Sequence, residues 1–126
     1  MTQAAGGRPH ASAGPLEAAA FLLELAMLTI LALSGAEVDG STAIRVLAAV
    51  GLPVAAAAVW AVWMAPTSAH RLPNPRRLVV QVLLFAVTGV LAAATLAPWV
   101  GAVFFLAATT VFGVLARRDA VTAGRR

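Results

Sequence analysis

The sequence predicts an all-α integral membrane protein, a bundle of four transmembrane helices, and two observations carry this prediction. Of the 126 residues, 61% are hydrophobic and only 11% are charged, and the mean hydropathy is +0.90. A chain with so few charged side chains cannot cover the surface of a soluble domain. The apolar residues also fall into four runs, each near the ~20 residues with which a helix crosses a ~30 Å hydrocarbon core. No alternation of period two indicates the strands of a barrel.

Proline and small residues mark the ends of the four predicted spans. Pro15 occupies a favoured first-turn position, and Gly35 is a stop signal for the first span. Pro66 ends the second span, and Pro98 makes a tight turn between the third and the fourth. The predicted spans are residues 16–35, 46–65, 78–97 and 99–116.

The two ends of the chain are predicted to lie outside the bundle. Residues 1–15 have the composition of a disordered cytoplasmic tail, and residues 117–126 that of a basic cytoplasmic tail. A competing interpretation makes the first span a cleaved secretory signal, because residues 32–34 resemble a cleavage site. Signal cores have only ~7 to 15 apolar residues, and this longer run is interrupted by Glu24, so retention is favoured.

The arginines predict the orientation in the membrane. All nine basic residues are arginine, and eight of them fall on one side of a chain with four spans. Only Arg45 lies on the other side, beside Glu37 and Asp39. The positive-inside rule therefore places both termini in the cytoplasm. Arginine without lysine, together with much alanine and glycine, is typical of GC-rich bacterial genomes, so the expected location is the bacterial inner membrane.

Glu24 is the main candidate for a functional residue, because it lies in the middle of the first span. An ionised side chain at this depth costs at least ~2.5 kcal/mol and normally faces the bundle interior. Glu17 precedes it by seven residues and shares its helix face. On the third span, Gln81 and Thr88 share a face in the same way, and Arg77 lies one turn before Gln81. We expect these two polar faces to meet, which makes Glu24, Gln81, Thr88 and Arg77 the candidate intramembrane polar site.

Two interpretations of Glu24 remain open at this stage. The carboxyl group is either a structural hydrogen-bonding group that fixes helix register, or a site that binds protons or cations. A single carboxylate without a second acid or a histidine beside it makes a poor conduction path, which favours the structural interpretation.

The other polar and aromatic residues predict no catalytic, cofactor or metal site. There is no cysteine, His10 and His70 are isolated, and no glycine-rich phosphate loop or nucleophile motif occurs. We therefore expect a protein that is not an enzyme and that has no cofactor.

The expected partners are components of the membrane. Arg71, Arg76 and Arg77 are predicted to bind anionic lipid headgroups rather than nucleic acid. The three tryptophans, Trp60, Trp63 and Trp99, are predicted to lie at the interfaces with their indole N–H groups toward headgroups. A row of small residues, Ala57, Ala61 and Ala65, permits close packing within the chain, in a homo-oligomer or with another membrane protein.

Four segments carry a resemblance to a known family: residues 21–26 (FLLELA), 60–66 (WAVWMAP), 71–78 (RLPNPRRL) and 83–86 (LLFA). Together they resemble the YrdB-like family of small four-span bacterial membrane proteins, over roughly residues 16–116. That family is uncharacterised, so the resemblance implies an architecture and no activity. Its third span often has an acidic residue where this chain has Gln81, so a proton role shared by two carboxylates is not expected here.

The leading hypothesis is a small non-enzymatic membrane protein that acts as an accessory or interaction module. The alternative is a small proton-coupled transporter of cationic or apolar compounds that uses Glu24. Four short helices with a glutamate in the first are similar to the small multidrug-resistance exporters. This chain differs from them because it has no tyrosine and its arginines are strongly one-sided.

Overall fold

The computed structural model describes residues 14–125, and four α-helices make up most of that range. Their bounds are Pro15–Ala36 (α1), Thr42–Trp63 (α2), Arg76–Thr95 (α3) and Pro98–Gly124 (α4). All four are long and apolar enough to cross a membrane, and no strand occurs among the described residues. The all-α fold of four candidate membrane-spanning helices is thereby confirmed. Most of the predicted N-terminal tail, residues 1–13, lies outside the described residues.

The second helix begins four residues before the predicted span, at Thr42. Ser41 caps it, because its Oγ accepts a hydrogen bond of 3.3 Å from the backbone N–H of Ile44. Arg45 does not mark a boundary but lies inside the first turns, and its Nε donates to the carbonyl oxygen of Ala36 at 2.6 Å. This arginine therefore satisfies a carbonyl that the end of α1 leaves without a helical partner.

The fourth helix does not end with its apolar run but includes most of the segment predicted as a basic tail, residues 117–126. The helix continues to Gly124. Two ion pairs hold the added turns against other helices: Arg118 contacts Glu17 of α1 at 3.3 Å, and Asp119 contacts Arg77 of α3 at 3.5 Å. At 1.5 Å per residue, residues 117–124 lengthen the helix by ~12 Å.

The bundle consists of two helical pairs, and α2 lies at its edge. The first pair is α1 with α2 and the second is α3 with α4, while α1 also packs against both α3 and α4. The core lies among α1, α3 and α4. There the ring of Phe85 packs edge-on against Phe104, with centroids 5.9 Å apart, and at a tilt against Phe112, with centroids 5.0 Å apart. Within α2 itself only Ala56 is buried.

Glycine permits a close approach of the backbones in both pairs. A Cβ atom on Gly35 would lie 2.5 Å from the backbone of Ala48, so α1 and α2 touch there. In the second pair Gly101 faces Gly89, and a Cβ atom on Gly101 would overlap the carbonyl oxygen of Gly89. Small residues at such crossings are typical of packed transmembrane helices.

The outer surface of the bundle is apolar. Leu47 is 74% exposed, Trp99 70% and Val90 69%. An apolar surface of this extent is expected where acyl chains cover the protein rather than water. The fold is that of a multi-pass membrane protein.

Candidate intramembrane polar site

Glu24 is hydrogen-bonded to α2, the helix at the edge of the bundle. The indole Nε1–H of Trp60 donates a hydrogen bond of 3.2 Å to Oε1 of Glu24. The close contact of Gly35 with Ala48 sets this register, because Glu24 lies eleven residues before Gly35 and Trp60 lies twelve residues after Ala48. The two helices run antiparallel from that contact, so both side chains arrive at nearly the same depth.

This hydrogen bond corrects two sequence-based expectations. The sequence places the partner of Glu24 on α3 or in the α2–α3 loop, but the structure gives its hydrogen bond to α2. The sequence also directs the N–H of Trp60 toward lipid headgroups, but in the structure it is directed toward the half-buried carboxyl group of Glu24 on α1. An indole N–H is a donor that does not ionise, so it satisfies Glu24 without setting its charge.

The remaining candidate residues divide between a shared cavity and a separate position. Gln81 and Arg77 line the same cavity as Glu24, so this part of the expected site does come together. Thr88 does not belong to it: its side chain is 1% exposed, and its hydroxyl donates to the carbonyl oxygen of Leu84 in its own helix at 2.8 Å. The polar faces of α1 and α3 therefore meet only at the end of the bundle that lies near the α2–α3 loop.

That shared cavity, here called the vestibule, has a volume of about 320 Å³. It lies at the arginine-rich end, where α1 begins, the α2–α3 loop turns and α4 ends. Its lining consists of Glu17, Glu24, Trp60, Met64, Pro66, Arg71, Asn74, Arg77, Gln81, Phe112, Leu115, Ala116 and Asp119. Every helix contributes to it, so the vestibule brings charged and apolar side chains of all four helices together at one end of the bundle.

Most charges of the vestibule are already engaged. Arg77, whose side chain is only 15% exposed, pairs with Asp119, and Glu17 pairs with Arg118. Arg71 donates from Nε to the carbonyl oxygen of Met64 at 3.2 Å. Of the three arginines predicted to bind lipid headgroups, Arg71 and Arg77 thus make bonds within the protein, and Arg76 is exposed at the start of α3.

A second cavity, here called the α1–α2 groove, begins where Glu24 and Trp60 meet. Its volume is about 280 Å³. Its lining consists of Phe21, Glu24, Leu25, Met27, Leu28, Ala56, Ala57 and Trp60. The groove opens on the side of the bundle, because Phe21 and Ala57 are exposed there. The Glu24–Trp60 pair therefore lines both cavities and lies between the lateral groove and the vestibule.

The arrangement around Glu24 offers an acceptor group beside a neutral donor. A carboxyl group with one neutral hydrogen-bond donor can hold a proton or a cation, and none of the ion pairs within residues 14–125 includes Glu24.

Trp60 could have been identified from the sequence only through the register of the α1–α2 pair. The signal was a glycine at the end of the first span, followed by a short loop and an alanine-rich helix.

Comparison with known proteins matches most of the chain to a protein family. A family model described as "Protein of unknown function (DUF2568)" matches residues 18–109, which run from the first turn of α1 well into α4. No curated protein and no solved structure matches the chain. The expectation of an uncharacterised family is confirmed, and the YrdB-like name stays a prediction.

Proposed function

The chain belongs to the DUF2568 family, whose description assigns no function, and from that premise we propose that it is a non-enzymatic accessory or interaction module. Its proposed location is the bacterial inner membrane, with both termini in the cytoplasm. The observation that carries this proposal is the hydrogen bond between Glu24 and Trp60.

That bond supports a binding or structural role over a transport role. Proton-coupled transport through Glu24 requires a path on which protons reach the carboxyl group and leave it. Trp60 cannot relay a proton at ordinary pH because its N–H does not ionise. The other acidic groups that line the vestibule, Glu17 and Asp119, are held in ion pairs with arginines. These pairs tie α1 and α3 to the end of α4, which favours one fixed arrangement of the bundle.

The test is a transport assay with the purified protein in proteoliposomes. We expect no uptake of quaternary ammonium ions, driven by an imposed proton gradient, above that of liposomes without protein. The matched control is Glu24→Gln, which keeps an oxygen acceptor for Trp60 and removes the titrating group. Uptake by the natural protein that disappears in Glu24→Gln would reject the accessory role.

The competing transporter hypothesis has one favourable observation. Glu24 lies between a groove that opens on the side of the bundle and a vestibule that opens at one end. A substrate could in principle pass from the bilayer to one aqueous side by way of the carboxyl group. The same proteoliposome experiment decides this question, because such passage would be seen as Glu24-dependent uptake.

The proposed orientation follows from charge. Six described arginines lie at the arginine-rich end: Arg71, Arg76, Arg77, Arg117, Arg118 and Arg125. The opposite end has Arg45 as its only described arginine, and that side chain is directed to the end of α1. The positive-inside rule supports a cytoplasmic arginine-rich end.

Single cysteines can test this orientation, because the chain has no cysteine of its own. Asp39→Cys in the α1–α2 loop and Ala69→Cys in the α2–α3 loop are suitable, since both residues are exposed. The neighbouring serines are poor choices: Ser41 caps α2, and Ser68 donates to the carbonyl oxygen of Val62. We expect an impermeant thiol reagent outside intact cells to label the Asp39→Cys variant and not the Ala69→Cys variant. The reverse pattern would contradict the orientation.

A further inference from the structure

The α1–α2 groove contains an acidic group without an ionic partner. One oxygen of Glu24 accepts the hydrogen bond from Trp60, and its second oxygen accepts none from the described chain. The rest of the lining consists of hydrophobic side chains from α1 and α2. A carboxylate in apolar surroundings is costly unless it takes up a proton or meets a group of opposite charge, so the ionised form of this site is complementary to a cation.

We propose that the α1–α2 groove binds a small hydrophobic ammonium ion. Its charged head bonds to the second carboxyl oxygen of Glu24, and its apolar body lies between Phe21 and Ala57.

The shape and lining of the groove select this class of ligand. Its volume of about 280 Å³ is near the lower limit of small-molecule pockets, so the body must be small or must extend into the bilayer through the lateral opening. The indole ring of Trp60 lines the groove beside Glu24, and aromatic rings of this kind attract ammonium groups. An anion would meet the carboxyl group unfavourably, and the arginines that could attract it, Arg71 and Arg77, lie in the vestibule and not in the groove.

No arginine of the vestibule is paired with Glu24 in the described part of the chain. Arg77 is paired with Asp119 and Arg118 with Glu17, and the Nε of Arg71 donates to a backbone carbonyl group. Each of these arginines has a partner elsewhere, so an ammonium ion entering from the side would not have to displace an existing ion pair.

The inference goes beyond the proposed function and is independent of it, because it concerns binding and needs no transport. The probes are 4-phenylbutylamine, which is an ammonium ion at pH 7, and 4-phenylbutan-1-ol, which has the same apolar body without the charge. The protein is placed in nanodiscs of zwitterionic phosphatidylcholine, so that the lipid itself does not concentrate the cation. Of the three tryptophans, Trp63 and Trp99 are replaced by phenylalanine, which leaves Trp60 as the reporter of binding.

We expect a saturable change in Trp60 emission with the amine, at a midpoint at least about tenfold lower than with the alcohol, since only the amine brings a positive charge that compensates the carboxylate. Glu24→Gln should remove this preference and bring the two midpoints together. Glu37→Gln is the matched control, because Glu37 is an exposed acid at the opposite end of α1, and it should leave the preference unchanged.

A second variant tests the place of binding without touching the charge. Ala57→Leu adds bulk to the groove at an exposed position, so the fold is retained, the space for the apolar body shrinks and the amine midpoint should rise. Equal midpoints for amine and alcohol in the natural protein, or an amine midpoint that neither Glu24→Gln nor Ala57→Leu changes, would overturn the proposal.

The two proposals fail separately. Proton-driven transport would reject the accessory role and leave the binding site standing. Loss of the amine preference would reject the binding site and leave the accessory role standing.

Discussion

Replacing Gly101 by alanine should loosen the contact between α3 and α4. In the structure a Cβ atom at this position would overlap the carbonyl oxygen of Gly89 and lie 3.0 Å from the Cβ atom of Ala93. The obstructing oxygen belongs to a helix backbone, so it cannot rotate away as the end of a flexible side chain could. The helices must therefore move apart to accept the methyl group.

The magnitude follows from two opposing contributions. Overpacking of a well-packed contact costs ~1 to 3 kcal/mol, whereas exchange of glycine for alanine inside a helix gains ~0.8 to 1.0 kcal/mol. Gly113 lies in the same helix with no atom within 4 Å of its hypothetical Cβ, so Gly113→Ala keeps the gain without the cost. The free energies of unfolding of the two variants should therefore differ by ~1 to 3 kcal/mol, with Gly113→Ala the more stable.

The assay is unfolding in mixed micelles with increasing dodecyl sulfate, followed by helical circular dichroism. Gly89→Ala provides an intermediate case, because its Cβ atom would lie 3.2 Å from the carbonyl oxygen of Gly101. The expected order of stability is Gly113→Ala, then Gly89→Ala, then Gly101→Ala. Equal stability of Gly101→Ala and Gly113→Ala would refute the close crossing of α3 and α4.

Two further predictions use the same unfolding assay. Ser34→Ala should raise the free energy of unfolding by ~1 kcal/mol, because the Ser34 Oγ is buried without a hydrogen-bond partner. Ser41→Ala should lower the free energy of unfolding by ~1 kcal/mol, because α2 loses its cap. A change of the same sign in both variants would contradict this account. Glu24→Leu should destabilise the protein more than Glu24→Gln, since leucine leaves the Trp60 N–H without its acceptor, and equal stability of the two would show that this bond contributes nothing.

The sequence predicted the apolar part of each helix well and the ends of the helices poorly. Hydropathy reports where a helix leaves the hydrocarbon, and the charged residues that mark this point do not end the helix. Arg45 and Arg118 both resemble boundaries in the sequence, yet each lies within a helix and has a partner on another one. Such partners depend on which helices are neighbours in the bundle. The hydropathy of a single segment carries no information about its neighbours.

The candidate site was likewise predicted from the sequence only in part. The sequence identified Glu24 as the residue to explain and placed Gln81 and Arg77 near it, and the three residues do line one cavity. The partner Trp60 was missed because its position near the end of α2 has the usual pattern of an interfacial tryptophan. Its actual role depends on the contact of Gly35 with Ala48, which aligns the depths of α1 and α2.

The turn between α3 and α4 bears on how the protein enters the bilayer. Only Leu96 and Ala97 separate the two helices, and neither carries a charge, whereas the connection between α1 and α2 includes Glu37 and Asp39. Moving the α3–α4 turn across the hydrocarbon during biosynthesis therefore requires no charged side chain to be dehydrated. We expect α3 and α4 to insert together as a helical hairpin, already in contact at Gly89 and Gly101, and to pack as one unit against α1.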